Sequence, residues 1–515
     1  MLTAMVIKTY GSAIQGVEAI TITIEVSIIK FVKFLLVGLP DDAVKESQFR
    51  IYSAINHLGH RFPRQGIVVN LAPANIRKAG SAYDLPIAIG ILAASGQLPC
   101  DYLQDYIIMG ELSLDGTLRP IKGALAMAIQ AQREGYKGVI LPLQNAREAA
   151  MIAGLAVYGA GSMQEVVRFF SDPQAIPRVQ VDPVETFTPQ ADFPLDFSDV
   201  KGQRSIKRAL EIAAAGGHNA LLIGPPGAGK TMLARRIPTI LPPLSLQEAL
   251  ETTKIHSVAG KLPEHMALIT HRPFRSPHHT ISDTALVGGG SNPQPGEISL
   301  AHNGVLFLDE LPEFKRSALE VMRQPIEERR VSVSRAKISV NFPAGFMLIA
   351  SMNPCPCGYF NHPEKACTCP PGGVRKYLHK ISGPLLDRID LHVEVTPVPF
   401  TALLTPAETE SSATIRARVM QARSLQQARF TDDAAIYCNA QMTSRLMARH
   451  CTLDTTCSTL LRNAMEKLKL SARAYDRILK VSRTIADLDN SQEIQTGHIA
   501  EAIQYRTLDR ERWGS

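Results

Sequence analysis

The feature that most constrains the fold of this 515-residue chain is a glycine-rich turn, GPPGAGKT, at residues 224–231. An apolar run, residues 218–223, precedes the turn, and a helical pattern begins at Thr231. Glycines allow such a turn to wrap closely around a phosphate, with its backbone N–H groups pointing inward at a helix N-terminus. The pattern therefore predicts a buried strand, a phosphate-binding loop and a helix. The loop residues are Gly224, Pro225, Pro226, Gly227, Ala228, Gly229, Lys230 and Thr231.

Two residues of this loop and two carboxylates further along the chain indicate which ligand is bound. Lys230 is expected to reach the terminal phosphates of a nucleoside triphosphate, and the Thr231 hydroxyl is expected to ligate Mg²⁺. Residues 304–310, GVLFLDE, form a second apolar strand that ends in two acids. Beside a phosphate loop, Asp309 would hold Mg²⁺ through water and Glu310 would polarise the attacking water. Together these patterns predict an ATPase that uses ATP and Mg²⁺.

Three further polar residues are candidates for the same reaction. Asn353 follows a predicted strand, residues 346–351, and its amide could orient the attacking water; a turn-forming role before Pro354 is the alternative. Arg388 comes just after a predicted helix and could stabilise charge on a transferred phosphoryl group. Arg473 opens a C-terminal helix and could contact the γ-phosphate. An ordinary salt bridge for Arg388 and a surface helix start for Arg473 are the alternatives.

The chain is too long for a single core, and its composition divides it into four parts. Residues 1–170 alternate apolar strands, such as residues 66–71, with helical stretches, such as residues 124–134, and residues 171–195 form a proline-containing linker. Residues 196–400 carry strand–turn–helix repeats, and residues 401–515 have helical periodicity. We therefore expect an α/β multidomain fold. Because no apolar run could span a bilayer and residues 1–15 lack a signal-peptide core, we expect a cytoplasmic protein without a membrane partner.

The net charge of +7 is distributed unevenly along the chain. Residues 1–195 carry 16 lysines and arginines against 17 acidic residues, whereas residues 196–515 carry 39 against 31. The basic excess therefore belongs to the nucleotide-binding part and the C-terminal part of the chain. Such an excess favours a nucleic-acid partner, although ordinary solubility explains it as well.

Four of the eight cysteines lie close together in two CxC pairs. Disulfides are disfavoured in a cytoplasmic chain, and a Zn²⁺ site with four thiolate ligands is the natural alternative. The spacing is CxC instead of the commoner CxxC, so reduced packing cysteines or redox-active thiols stay open. The candidate ligands are Cys355, Cys357, Cys367 and Cys369.

Residues 329–340 alternate apolar residues with polar or basic ones, which predicts a two-stranded hairpin. Basic groups on a hairpin suit the phosphates of DNA, whose backbone charge is the same for every base sequence. A solvated charged hairpin without a ligand is the alternative. The candidate DNA-binding residues are Arg329, Arg330, Arg335 and Lys337.

From Asp196 to the C-terminus, these motifs together resemble the AAA+ ATPases, and more narrowly the magnesium-chelatase-like branch that includes the MCM helicases. The resemblance implies that Asn353 is sensor 1, Arg388 the arginine finger and Arg473 sensor 2. An arginine finger acts on the nucleotide of a neighbouring subunit, so a homo-hexameric ring is implied. By the same resemblance, residues 271–279 belong to a helix-2 insert, the basic hairpin points into the pore of the ring, and the C-terminal helices form a lid.

Residues 1–170 resemble the proteolytic domain of Lon and the related domain of RadA, which implies a ribosomal-S5-like α+β fold. The resemblance rests on residues 78–82 and 110–123. Lon needs a serine nucleophile and a lysine that removes its proton. Aligning the glycines places Ala82 and Leu125 at these two positions, although a dyad shifted to Ser81 and Lys122 stays open. We expect a DNA-binding or ring-forming platform instead of a protease.

A Lon-like domain, a magnesium-chelatase-type ATPase and a helical lid, in this order, resemble the ComM/YifB family over essentially the whole chain. Residues 298–314, ISLAHNGVLFLDELPEF, are typical of that family. The resemblance implies a hexameric DNA helicase that acts on single-stranded, double-stranded and branched DNA, and drives branch migration during natural transformation. Three other hypotheses stay open: a chelatase motor subunit, an ATP-dependent protease, and a regulatory ATPase switch that acts on protein partners.

Overall fold

The computed structural model describes residues 6–30, 32–182, 187, 193–263, 266–290, 292–335, 338–362, 364–397, 409–433 and 436–506. The chain divides into two compact units. The first consists of residues 1–188, 245–270 and 293–295, and the second of residues 189–244, 271–292 and 296–515. Residues 245–270, which the sequence places within the ATPase region, are thus part of the first unit. The four-part division inferred from composition stays a prediction.

The first unit is built on a seven-stranded mixed sheet. The seven strands of this sheet are β1 Val6–Gln15, β2 Glu18–Ile29, β3 Phe34–Val37, β4 Gly66–Ala72, β5 Tyr106–Ile108, β8 Gly138–Pro142 and β9 Ala156–Ala160. A separate two-stranded sheet is formed by β6 Glu111–Leu112 and β7 Leu118–Arg119. The order in the sheet is β3-β4-β2-β1-β5-β8-β9. In β2 the alternating Ile22, Ile24 and Val26 are fully buried, as a half-buried antiparallel strand requires. The predicted strand at residues 66–71 is confirmed.

Helices cover this sheet, and the most apolar of them is the most deeply buried. Asp84–Ala94 is apolar on nearly every side and packs on β1 and β2. The helix predicted at residues 124–134 is confirmed as Ala124–Arg133. It packs on Leu246–Ala259, and the Gly123 N–H donates to the Ser257 carbonyl at 3.2 Å. The helices of this unit are Asp42–Lys45, Ser47–His57, Asp84–Ala94, Ala124–Arg133, Leu143–Ala149, Met163–Ser171 and Leu246–Ala259.

The second unit is centred on a five-stranded parallel sheet in the order β11-β14-β17-β10-β18. The strands of this sheet are β10 Ala220–Ile223, β11 Phe274–Arg275, β14 Val305–Leu308, β17 Met347–Met352 and β18 Leu391–Glu394. The unit also contains β12 Gly288–Gly289, β15 Arg330–Arg335 and β16 Ile338–Pro343, whereas β13 Gln294–Pro295 belongs to the first unit. Every residue of β10, β14 and β17 is buried, which explains their uninterrupted apolar sequences. The three predicted strands of the ATPase region are confirmed.

The described residues after residue 409 are mainly helical, as the periodicity of residues 401–515 predicted, and their apolar side chains continue the core of the sheet. The helix Ser444–His450 is short, and only two of its residues are buried. Among the described residues, no helix is long and apolar enough to cross a membrane. The helices of the unit are Arg204–Gly216, Lys230–Ala234, Ile237–Ile240, Asp283–Val287, Glu297–Leu300, Arg316–Val321, Arg323–Glu328, Gly373–Leu378, Gly383–Leu386, Ser412–Arg429, Ser444–His450, Thr455–Leu468, Ala472–Leu488 and Thr496–Gln504.

Candidate nucleotide-binding site

The glycine-rich loop connects the buried strand β10 to the helix Lys230–Ala234. Gly224 leaves the strand where the chain passes very close to β18, since an added Cβ would lie 2.3 Å from the carbonyl oxygen of Val395. Gly229 caps the helix with a left-handed backbone, φ +85°. The predicted strand, loop and helix are therefore present, and the loop ends at a helix N-terminus, where anions are favoured.

Lys230 is buried, and its ammonium group is held within the loop. The Nζ atom donates to the carbonyl oxygens of Gly224 at 2.7 Å and Pro225 at 3.0 Å. It also donates to Oδ1 of Asn353 at 3.1 Å. Burial lowers the pKa of Lys230, and the carboxylate of Asp309 opposes this shift. The structure thus brings Asn353, which follows β17, to the phosphate loop, and its sensor role stays a prediction.

Asp309 lies at the end of β14 and receives two hydroxyl hydrogen bonds. Thr231 Oγ1 donates to one carboxylate oxygen at 2.7 Å, and Ser351 Oγ donates to the other. Hydroxyl and carboxylate oxygens are the ligands that Mg²⁺ prefers, so Thr231 and Asp309 fit the predicted ion. The sequence analysis did not identify Ser351. The one indication was that it is a polar residue near the end of an otherwise apolar strand.

Glu310 has an unusual backbone and an exposed side chain. Its φ of +54° lies in the left-handed region, which is costly for a residue with a side chain and is often retained at functional sites. The side chain is 57% exposed, and one carboxylate oxygen lies 3.5 Å from Nδ1 of His279. The position suits a carboxylate that contacts water beside the phosphate loop. His279, within the predicted insert at residues 271–279, was not expected to be its neighbour.

The two candidate arginines are held by acidic residues of the same unit. The Arg388 side chain is 9% exposed; its Nη2 atom lies 2.8 Å from Oε1 of Glu327, and Nη1 donates to the Pro384 carbonyl at 2.6 Å. Arg473 is exposed, and its Nη1 atom lies 3.4 Å from Oδ2 of Asp387. The finger role of Arg388 concerns the nucleotide of another subunit, so it stays a prediction, as does the sensor role of Arg473.

A buried charged cluster joins the base of the phosphate-loop strand to the C-terminal helices. Asp390, just before β18, accepts a hydrogen bond from the Asn219 N–H at 3.0 Å and lies 3.4 Å from Nδ1 of His218. Its other oxygen lies 3.0 Å from Nη1 of Arg477, in the helix Ala472–Leu488. Burial by itself would raise the pKa of Asp390, but Arg477 and His218 hold it well below its usual range. Sequence reasoning missed this cluster.

The predicted basic hairpin is formed by β15 and β16, paired antiparallel from Arg330↔Pro343 to Arg335↔Ile338. One face is buried through Val331 and Phe342. Arg329 and Arg330 are exposed, and Arg330 Nε lies 3.1 Å from a carboxylate oxygen of Glu328. The Arg335 side chain and the whole of Lys337 lie outside the described residues. The hairpin is confirmed, and its DNA contacts stay a prediction.

The four clustered cysteines come together at one place. Their Sγ atoms all lie within 4.8 Å of one another, and the four thiols are free. Cys355 is buried, and the other three are half-buried. The metal role of Cys355, Cys357, Cys367 and Cys369 stays a prediction.

The positions of the Lon dyad hold apolar residues in the folded chain. Ala82 is half-buried and Leu125 fully buried. The Ser81 hydroxyl is bound to the carboxylate of Glu111, and Lys122 is exposed. The partner of the Ser81 hydroxyl is thus a carboxylate and not a lysine that could remove its proton.

Comparison with known proteins assigns most of the chain to one family. Residues 196–403 match the family described as magnesium chelatase, subunit ChlI; residues 24–145 match subunit ChlI of Mg-chelatase, and residues 409–506 match its C-terminal part. The chain is 45% identical over 501 residues to YifB of Salmonella typhimurium. This alignment covers 97% of this chain and 96% of YifB. The chain is 44% identical over 505 residues to competence protein ComM of Haemophilus influenzae, with 97% of each chain covered.

A shorter similarity links the chain to a protease. Over 160 residues it is 32% identical to Lon protease 2 of Bacillus subtilis. The aligned region covers 28% of each protein. This agrees in part with the expected Lon-like region. The full-length similarities extend over both compact units, including the phosphate loop and the acidic end of β14. The chain belongs to the ComM/YifB family of magnesium-chelatase-like proteins.

Proposed function

We propose that this protein is an ATP-dependent DNA motor that forms a homo-hexameric ring in the cytoplasm and promotes branch migration during homologous recombination and natural transformation. One observation carries the ATPase part. At the carboxyl ends of three adjacent strands, Lys230 contacts Asn353 and Thr231 contacts Asp309. The DNA part is supported by the similarity to a competence protein and by the basic hairpin.

The residues of the loop bind ATP in this proposal. Lys230 exchanges its carbonyl partners for phosphate oxygens, and the loop N–H groups bind the same anion. Thr231 and Asp309 hold Mg²⁺, which neutralises phosphate charge when bound. Glu310 polarises the attacking water and Asn353 orients it. Lys230 donates a hydrogen bond to Asn353, so a movement of the lysine ammonium group when the γ-phosphate leaves would displace the Asn353 amide.

The remaining residues connect hydrolysis to movement. Arg388 acts on the nucleotide of the neighbouring subunit, and Arg473 senses the γ-phosphate. Glu327, the partner of Arg388, lies in the helix Arg323–Glu328, which is separated from β15 by one residue. A shift of Arg388 would therefore move the base of the basic hairpin. The hairpin grips DNA phosphates without base preference.

The test is ATP-dependent branch migration on labelled three-stranded and four-stranded DNA junctions. We expect wild-type protein to move the junction, Lys230→Ala to lose nucleotide binding, and Glu310→Gln to bind ATP but hardly hydrolyse it. Full ATPase activity in Lys230→Ala would contradict the site. Hydrolysis that moves no junction and is not stimulated by DNA would contradict the motor, and would favour a remodeller or switch that acts on protein partners.

A further inference from the structure

The segment between β17 and the helix Gly373–Leu378 has almost no apolar anchoring. It contains no helix or strand among its described residues. From residue 361 to residue 372, every described residue is exposed or half-buried. Ordering a segment costs roughly 1–2 kcal/mol per residue in backbone entropy, and burial of apolar side chains normally offsets it. Cys355 of this segment is buried and Cys357, Cys367 and Cys369 are half-buried, so their sulfurs are placed to anchor it.

Three of the four sulfurs lie close to the separations that a single metal ion requires, and the fourth, Cys369 Sγ, lies within 4.8 Å of each of them. Cys355 Sγ lies 3.3 Å from Cys357 Sγ and 3.8 Å from Cys367 Sγ, and Cys357 Sγ lies 3.5 Å from Cys367 Sγ. A tetrahedral ion with Zn–S bonds of about 2.3 Å places its sulfurs about 3.8 Å apart. The sulfurs are too close together to enclose several iron atoms with bridging sulfides. They are also farther apart than a disulfide, with its bond of about 2.05 Å.

Backbone N–H groups support two of these sulfurs. The Phe360 N–H donates to Cys355 Sγ at 3.3 Å, and the Cys357 N–H donates to Cys369 Sγ at 3.5 Å. Hydrogen bonds of this kind stabilise negative charge on a thiolate and orient it toward a metal. Four ligands fill a tetrahedral coordination sphere, which is typical of a structural site and not of a catalytic one.

We propose that these four cysteines bind one structural Zn²⁺ ion, and that this ion holds the segment against the phosphate loop. Two contacts connect the cluster to that loop. Asn353, two residues before Cys355, accepts the hydrogen bond of Lys230. Gly358, one residue after Cys357, packs on Pro226, since an added Cβ would lie 2.5 Å from its Cδ.

The first experiment measures metal content in full-length protein purified without chelator. We expect about one zinc per chain in wild type and less than about a tenth in the Cys367→Ser/Cys369→Ser variant. The control, Cys100→Ser, removes a half-buried cysteine outside the cluster and is expected to keep its zinc. Chains without zinc, or with iron in its place, would overturn the assignment. These measurements use neither ATP nor DNA, so they stand apart from the proposed motor function.

The second experiment tests whether the ion orders the segment. Lys365 is exposed and lies between the two cysteine pairs, so trypsin cleavage after it reports local opening. We expect cleavage there, measured by mass spectrometry, to be at least ~10-fold faster in the double variant than in wild type or Cys100→Ser. Chelation of wild type should reproduce the effect, and added Zn²⁺ should reverse it. Equal cleavage rates would overturn the structural role of the ion.

Discussion

The buried carboxylate of Asp390 is the point at which a single change should most weaken the second unit. It connects the start of β10, the start of β18 and the helix Ala472–Leu488 through Asn219, His218 and Arg477. The substitution Asp390→Asn preserves size and leaves an oxygen that can accept from Asn219. It removes the negative charge that faces Arg477, whose side chain is 19% exposed.

The magnitude follows from the geometry of the ion pair. Two unit charges 3.0 Å apart attract by about 5.5 kcal/mol at an effective dielectric constant of about 20. The desolvation of Asp390, which is 1% exposed, offsets part of that attraction. Breaking a buried pair by removing one partner typically costs about 3–5 kcal/mol. Because Arg477 keeps some contact with water, we expect a loss of about 3 kcal/mol.

The assay is native-state hydrogen exchange, which reports the free energy of opening for individual peptides. Peptides covering β10 and the helix Ala472–Leu488 should lose protection in Asp390→Asn, and peptides of β2 serve as the internal reference. The control pair is Arg477→Met and the double variant. If the two residues interact, the double variant should lose less than the sum of the single losses. A loss below about 1 kcal/mol, or strict additivity, would refute the reasoning.

The same cluster predicts a pH dependence. The folded pKa of Asp390 is held below the unfolded value of about 3.9, so its stabilisation is present above that pH and declines as the pH falls toward the folded value. The difference in opening free energy between wild type and Asp390→Asn should therefore shrink below about pH 4. A difference that grows on acidification would contradict the sign of the shift.

The remaining predictions concern the nucleotide site. Asn353→Ala should bind a fluorescent ATP analogue normally but hydrolyse ATP roughly 10²–10³-fold more slowly, because one oriented polar group is lost; normal turnover would exclude a sensor role. Arg388→Ala should likewise bind the ATP analogue but hydrolyse ATP about 10³-fold more slowly. Glu327→Gln should hydrolyse ATP without moving the DNA junction. Equal hydrolysis rates in the two variants would contradict these separate roles. Gly224→Ala should weaken nucleotide binding in a titration, since its Cβ would collide with the Val395 carbonyl; unchanged affinity would show that the loop can shift.

Local sequence was sufficient to predict those parts of the fold and of the site that are formed by residues close together along the chain. The phosphate loop depends on glycines at a turn between an apolar strand and a helix, and all three were predicted. The hairpin of β15 and β16 follows from alternation within one short stretch. The four cysteines come from two pairs within fifteen residues of chain, so their approach was also expected.

Contacts between distant segments depend on which strands become neighbours, and no local pattern encodes that order. Ser351 meets Asp309 because β17 lies beside β14, and Asp390 meets Arg477 because the C-terminal helices pack on the sheet. Glu327 and Arg388 are likewise separated along the chain but paired in space. The sequence by itself determined the chemistry of the phosphate site, since that chemistry resides in residue types at short spacing. The tertiary structure decided which further residues contact them, such as Ser351 for Asp309 and Glu327 for Arg388, because burial of a shared core selects the strand order that brings them together.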